Sequence, residues 1–145
     1  MAASAWKVYN EAKKYFVNGG IDLDTAAIRV KLVKGTSAAK VSVFGNSTFA
    51  SCGTAIVLSG TTTVRTPANI SVRMTDTSAA VFDFDALVLT ISAATTSVQY
   101  AVIGVSNGFA VAWSKLSSAS FSVGAGGTVT ITPNPHIFKI TGGTT

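Results

Sequence analysis

The stretch VQYAVIGVSNGFAVAWSKL, residues 98–116, decides the fold class of this chain. It joins two strongly apolar runs, 98–105 and 109–116, through Asn107-Gly108. An Asn-Gly pair between two apolar runs is typical of a tight β-hairpin, because a type I′ turn needs positive φ at both of its central residues. The stretch therefore predicts two strands that pair antiparallel around this turn.

Other segments of the chain also have the pattern of β-strands. Residues 28–32, Ile-Arg-Val-Lys-Leu, alternate strictly, which predicts a half-buried strand with Arg29 and Lys31 on its exposed face. Further candidate strands are separated by turn-forming residues and lie at 40–44, 54–58, 62–66, 70–75, 81–91, 127–132 and 137–141. Short strands at such spacing predict a mainly β fold, either an antiparallel β-sandwich or a small barrel of the jelly-roll or immunoglobulin-like kind.

The N-terminal residues have a helical pattern instead. One amphipathic α-helix is predicted over about residues 5–18, because apolar side chains recur at three- and four-residue steps, at Trp6, Tyr9, Ala12 and Phe16. Asn18-Gly19-Gly20 is a typical helix end. With no linker or repeat along the chain, residues 1–145 are predicted to form a single domain, with the sandwich over about 21–141.

Two aspartates follow this helix in the segment IDLDT, residues 21–25. Asp22 and Asp24 stand two residues apart, as a catalytic or metal-binding carboxylate pair would. The alternative is a turn in which Ile21 and Leu23 point into the core while both aspartates point outward. We favour the turn, in which Asp24-Thr25 is expected to bond local backbone N–H groups.

The composition indicates a surface that partners cover. Only 12% of the 145 residues are charged and 48% are hydrophobic, which leaves few charges to keep a free surface soluble. The net charge is +5, and residues 1–40 hold seven basic residues against three acidic ones. No Lys/Arg stripe alternates with aromatic residues, so nucleic acid is not predicted as a partner. The apolar residues 86–114 are cut into pieces of strand length, so no membrane partner is predicted either.

Residues that support catalysis are scarce, and no enzyme activity is predicted. His136 is the only histidine and Cys52 the only cysteine, so neither a structural zinc site nor a Cys/His motif is indicated. Asp83 and Asp85 fall on the same face of a predicted strand, where two carboxylates are able to serve glycoside hydrolysis or hold a cation. Acidic residues on the exposed face of a sheet give the same pattern. We predict no catalytic residues, no cofactor and no metal.

Residues 5–33, AWKVYNEAKKYFVNGGIDLDTAAIRVKLV, resemble the opening of a family of small virion proteins of tailed bacteriophages. The family's Y-N-x-A-K core matches Tyr9–Lys13, its G-x-I-D-L-D-T matches Gly19–Thr25, and its strand I-K-V-A-L-V is similar to Ile28–Val33. A weaker likeness to its Y-A-V-I strand and its closing strands extends over most of the remaining chain. Residues 36–77 depart from the pattern.

This resemblance implies a head decoration or cement protein that binds the major capsid protein. It further implies a homotrimer or other homo-oligomer on the capsid exterior. The N-terminus lacks the order of a signal peptide, so synthesis in the host cytoplasm is expected. The basic N-terminal region is expected to meet an acidic capsid surface through Lys7, Lys13, Lys14, Arg29 and Lys31. Two alternatives stay open, a phage tail or fibre-adaptor protein and a carbohydrate-binding module that uses Asp83 and Asp85.

Overall fold

The computed structural model describes residues 5–19, 22–42, 48–74, 79–106, 108–133 and 136–141. Antiparallel strands dominate this part of the chain, and they are accompanied by two α-helices, α1 (Asn10–Val17) and α2 (Ala38–Val41), and a 3-10 turn (Gly35–Ser37). The strands are β1 (Lys7–Val8), β2 (Ile28–Lys34), β3 (Ser71–Met74), β4 (Ala79–Asp83), β5 (Leu87–Thr90), β6 (Thr95–Val105), β7 (Ala110–Lys115), β8 (Phe121–Val123), β9 (Thr128–Ile131) and β10 (Phe138–Thr141).

The described strands form one large and two small antiparallel sheets. In the large sheet the order is β1-β7-β6-β2, and β8 pairs with the first residues of β6. The small sheets have the orders β10-β4-β3 and β5-β9. The prediction of a mainly β, antiparallel fold with one short N-terminal helix is confirmed. The arrangement is sandwich-like, and the barrel alternative is wrong, because the sheets formed by these strands stay separate and open.

Both faces of the large sheet are buried. On one face, Ile28, Val30 and Ile103 pack with Phe82 and Leu89 of the small sheets. On the other face, side chains of α1, α2 and the segment 48–53 form a second cluster with β2, β6 and β7, made of Tyr9, Ala12, Val33, Val41, Phe49, Cys52, Tyr100, Val102, Ala110 and Trp113. A strand between two such layers needs apolar residues on both sides. This explains why the runs 98–105 and 109–116 do not alternate.

The predicted helix at 5–18 is shorter than expected. Its first residues form β1, in which Lys7 pairs with Trp113 and Val8 with Ala112 at the edge of the large sheet. Tyr9 is still extended, at φ −65° and ψ 145°, and α1 begins only at Asn10. Backbone N–H and C=O groups of residues 7–8 therefore bond to the edge of β7, whereas in a helix they would have bonded to other residues of the helix. At the other end Gly19 has φ +74°, as a helix-ending glycine should. Gly20 lies outside the described residues.

Three predicted strands between residues 40 and 66 are wrong where the structure describes them. Residues 38–41 form α2, and residues 43 and 44 of the predicted 40–44 strand lie outside the described residues. The segments 54–58 and 62–66 make only isolated bridges, among them Val33 with Ala55 and Val30 with Arg65. They run along the outer side of β2, where the N–H of Ile56 bonds the carbonyl of Leu32 at 2.9 Å. The free side of β2 is thereby covered without a full strand.

The long candidate strand 81–91 is two strands. β4 ends at Asp83 and β5 begins at Leu87, and the break lets the chain leave one small sheet and enter the other. The remaining candidate strands at 28–32, 70–75, 98–105, 109–116, 127–132 and 137–141 are confirmed with shifted ends, while β8 had not been predicted.

The central hairpin is confirmed in pairing but not in turn type. β6 and β7 pair antiparallel, with Val102 opposite Trp113. Gly108 does not have the left-handed φ that a type I′ turn requires, and Asn107 lies outside the described residues. The connection is longer than a two-residue turn, because the N–H of Val105 bonds the carbonyl of Phe109 at 2.8 Å and the N–H of Gly108 bonds the carbonyl of Val105 at 3.0 Å.

The IDLDT segment forms a turn. Leu23 is buried, whereas Asp22 and Asp24 are exposed. An Asp22 side-chain oxygen accepts the N–H of Asp24 at 3.1 Å, and the Asp22 carbonyl accepts the N–H of Ala26 at 2.8 Å. The acceptor is thus Asp22 and not the predicted Asp24-Thr25, because the first residue of an Asx turn supplies the side chain. Ile21 lies outside the described residues.

Candidate functional site

The predicted partner contacts fall in two different environments. Lys7, Lys13 and Lys14 are exposed on β1 and α1. The Lys7 ammonium lies 5.0 Å from the centre of the Trp113 ring, and Lys14 is 3.8 Å from a carboxylate oxygen of Glu11. These interactions are weak at an exposed surface, so the lysine side chains stay accessible to a partner.

Arg29 and Lys31 are placed differently, on the face of β2 that had been predicted to be exposed. Arg29 is half-buried, and its guanidinium donates to the carbonyl of Ile28 at 2.9 Å. Lys31 is only 5% exposed, so its predicted place on an open strand face is wrong. The reason is that the segment 48–53 covers this face of the large sheet. In this structure Lys31 does not present its side chain to a partner.

Lys31 belongs to a buried polar cluster. Its ammonium donates to the carbonyl of Phe49 at 2.7 Å and lies 4.7 Å from the centre of the Phe49 ring. Beside it, the Cys52 thiol donates to the carbonyl of Thr48 at 3.3 Å, and the Tyr9 hydroxyl donates to the carbonyl of Val41 at 2.7 Å. The bond from Lys31 holds the segment 48–53 against the large sheet, and the bond from Cys52 lies within that segment.

Burial shifts the proton affinities of this cluster in opposite directions. Desolvation lowers the pKa of Lys31 below its ordinary 10.5, and interaction with Cys52 partly offsets this effect. Desolvation raises the pKa of the Cys52 thiol above its ordinary 9.0, against smaller lowering effects of Tyr9, Lys31 and Ser51. The thiol is therefore poorly suited to act as a thiolate nucleophile. None of these neighbours is His136, so this arrangement gives no support to a Cys/His catalytic pair.

The buried Lys31 predicts a pH dependence of stability. Since the folded protein releases this proton at a lower pH than the unfolded chain, its contribution to the free energy of unfolding rises as the pH approaches 10.5. Cys52 contributes the opposite slope above pH 9.0, because its folded pKa is raised. In a Cys52→Ala background, Lys31→Met should remove the rising contribution. The measurement is urea unfolding between pH 8 and about 10.5.

Lys139→Met serves as the control, because it makes the same substitution at an exposed position. The predicted slope would be refuted by parallel stability curves for the Lys31→Met variant and its Lys31-containing parent.

The two candidate acidic residues are each engaged in local bonds. Asp83 lies 3.5 Å from the guanidinium of Arg73, and it also accepts the N–H of Phe84 at 2.9 Å. Asp85 accepts the side-chain amide of Asn69 at 2.6 Å. Both arrangements fasten the end of β4 to the chain around β3. Within the described ranges, no group of three His, Cys, Asp or Glu residues is placed to hold a metal ion.

A shallow groove of about 220 Å³ runs beside β2 and the start of β6. Small and apolar residues such as Ala55, Val57 and Ala94 line it, and Lys34 is the titratable residue of its described lining. Within this described lining no acid or base is paired with Lys34, so the groove gives no support to a general acid-base site.

Sequence reasoning missed the buried cluster around Lys31. The alternation of residues 28–32 suggested an exposed basic face, but the neighbouring run 98–105 is apolar on both faces. Because β2 pairs with β6 along this run, two-sided burial of one strand extends to the next. The lack of alternation in residues 98–105 was therefore the signal in the sequence that could have predicted the burial of Lys31.

Comparison with protein-family models, with curated proteins and with solved structures gives no match to this chain. Neither helix in the described part of the chain is long and apolar enough to cross a membrane.

Proposed function

We propose that this chain is a non-enzymatic decoration or cement protein of a tailed-bacteriophage capsid, which binds the shell of the major capsid protein and stabilises the head. The observation that carries the proposal is a set of exposed apolar side chains in a chain with few charges. Val57, Val72, Met74 and Val88 are 43–67% exposed in a chain with 12% charged residues. Such a surface fits a protein whose neighbours cover it in an assembly.

The resemblance to small virion proteins supports the same proposal. Its three matched motifs follow one another in the structure as α1, the Asp22 turn and β2. α1 packs on the large sheet and β2 is one of its strands, so two of the matched motifs belong to the same packed part of the fold.

The binding mechanism would combine two weak contributions. The exposed Lys7, Lys13 and Lys14 attract an acidic capsid surface, and exposed apolar side chains are buried on contact. Each contact is small, but a shell presents the same site many times, and an oligomer that engages several sites gains through effective concentration.

A binding experiment with capsid shells that lack the protein tests the proposal. The purified protein should co-sediment with such shells, and its binding should saturate at a fixed number of copies per capsid subunit. It should also raise the temperature at which the shells disrupt. Failure to bind the shells would contradict the proposal. Labelling of intact particles separates the head from the tail, because a head protein is present in many more copies than a tail-tip protein.

We expect Lys7→Glu combined with Lys13→Glu to weaken shell binding by at least about tenfold, since both substitutions place acid where an acidic surface should bind. Added salt should weaken wild-type binding in the same direction. The control is Lys139→Glu, at an exposed lysine of β10, and it is compared with Lys7→Glu and Lys13→Glu each made alone, so that the change of charge is equal. Equal weakening by the control would mean that only net charge matters and that the N-terminal lysines form no contact.

A further inference from the structure

Among the described strands, β3 (Ser71–Met74) has a partner on one side only. Within the described chain it pairs only with β4, in the small sheet β10-β4-β3. An exposed strand edge offers unsatisfied N–H and C=O groups to any strand that can lie beside it.

Exposed apolar side chains lie on the same strand as this unpaired edge. Val72 is 43% exposed and Met74 is 67% exposed, although Val72 lies opposite the buried Phe82 on β4. Ile70, just before the strand, is half-buried. Since side chains alternate along a strand, Ile70, Val72 and Met74 share one face while Ser71 and Arg73 share the other.

We propose that β3 binds the same strand of a second copy of this chain, antiparallel, about a two-fold axis that passes midway between the two Val72 residues. The small sheets of the two copies then form one continuous six-stranded sheet. This inference does not rest on the capsid proposal, because its argument uses only the β3 edge.

The charges and apolar side chains of β3 select this register. A two-fold axis normal to the sheet keeps each side chain on its own face, so only residues of the same face can oppose each other. An axis between two Arg73 residues would place two arginines opposite each other, which is unfavourable. An axis between two Ser71 residues would put Met74 opposite Ala68. That residue lies beyond Asn69, whose φ of +53° interrupts the extended backbone before β3, so Met74 would have no strand residue beside it. With the axis at Val72, Val72 meets Val72, Ile70 meets Met74, and Ser71 meets Arg73.

The same register is complementary in charge. Arg73 lies 3.5 Å from Asp83 of its own chain, and its side chain is 52% exposed. Ser71 stands opposite Asp83 on β4. In the paired sheet, the Arg73 of each copy would lie opposite the small Ser71 of the other copy and could reach past it toward Asp83. Each carboxylate would then lie between two guanidiniums, which a negative charge can bridge.

The pairing is expected to be weak in solution. A strand of four residues buries much less surface than the roughly 1,600 Å² of a stable protein interface. We therefore expect a dimer in rapid exchange with the monomer, with a dissociation constant in the micromolar range or above.

Sedimentation of the full chain over a wide concentration range tests the pairing. Wild-type protein should shift from monomer to dimer as concentration rises. Val72→Lys places two lysines opposite each other at the axis, so the midpoint of this shift should move to at least about tenfold higher concentration. Val88→Lys makes the same substitution at an exposed valine of β5 and should associate like wild type. Circular dichroism confirms that each variant is folded. A protein that stays monomeric at every concentration overturns the proposal, and so does a Val72→Lys variant that associates like wild type.

Cysteine substitution tests the register itself. Val72→Cys should form a disulfide between copies under mild oxidation, because opposite residues in an antiparallel pair have Cβ atoms about 4.5–5.5 Å apart. Ser71→Cys should cross-link far more slowly, since it lies opposite Arg73. Faster cross-linking by Ser71→Cys would overturn the axis at Val72. If the protein is monomeric and Val72→Lys loses only shell binding, then the capsid and not a second copy occupies β3, which also overturns the inference.

Discussion

Gly104→Ala should destabilise the protein by about 1–3 kcal/mol, the cost of forcing extra volume into a packed interior. Gly104 lies in β6 between Arg29 and Ala110, and the Phe49 side chain packs directly on its backbone. A Cβ added there would lie 2.7 Å from the Phe49 Cβ and would also clash with the Phe49 ring. The Cβ atom is close to the backbone, so a change of rotamer cannot relieve the contact. Urea unfolding followed by tryptophan fluorescence measures the effect.

A double-mutant cycle shows whether Phe49 is the cause. In a Phe49→Ala background, Gly104→Ala should be neutral or slightly stabilising, because glycine is unfavourable in a strand when nothing requires it. Gly108→Ala is the control, since an added Cβ there would meet Val105 only at 3.4 Å. An equal cost of Gly104→Ala in both backgrounds would show that the side chain of Phe49 does not restrict this position.

Phe82→Ala should have the largest effect of the changes considered, about 3–5 kcal/mol of lost unfolding free energy. Phe82 is 2% exposed, and its ring centre lies 5.1 Å from that of Phe138 and 6.0 Å from that of Phe84. Removal of this ring leaves a cavity between the small sheet and the core. Because domains of this size have only about 5–15 kcal/mol of stability, the variant should unfold at much lower urea concentration.

Two further variants make the Phe82 result interpretable. Phe82→Leu keeps most of the volume and should cost about 1.5 kcal/mol or less, so it gives a value even if the alanine variant does not fold. Val88→Ala truncates a 53% exposed side chain on another strand and should cost at most about 1 kcal/mol. Comparable losses for Phe82→Ala and Val88→Ala would be inconsistent with the aromatic cluster described above.

The strands that could be predicted from sequence are those that carry their own local signal. Apolar runs bounded by turn residues located β6, β7, β9 and β10 to within a few residues. The missed features depend on distant parts of the chain. Lys7–Val8 is a strand only because β7 offers it an edge. Segments 54–58 and 62–66 bridge to β2, to each other and to Ile91 just after β5 without forming strands of their own.

The candidate site shows the same division. The exposure of Lys13 and Lys14 agrees with the predicted amphipathic helix, whereas Lys7 is exposed on β1, where a helix had been predicted. The burial of Lys31 did not, because a strand of alternating residues says nothing about what covers its second face. Only the position of Phe49, far along the chain and bonded to Lys31, settles that the basic side chain lies inside.

The free side of β3 also decides how far an assembly of this kind can grow. A two-fold pairing uses the same edge on both copies, so the contact is complete when two chains have met. A filament would need the opposite edge of the same sheet as well, and there β10 carries the exposed Lys139, which would face a second lysine in any symmetric pairing centred on it. Residues 54–65 bond to the outer edge of β2, so no strand of another copy can pair with the large sheet there. Association through β3 is therefore expected to end in a soluble pair and not in a fibre.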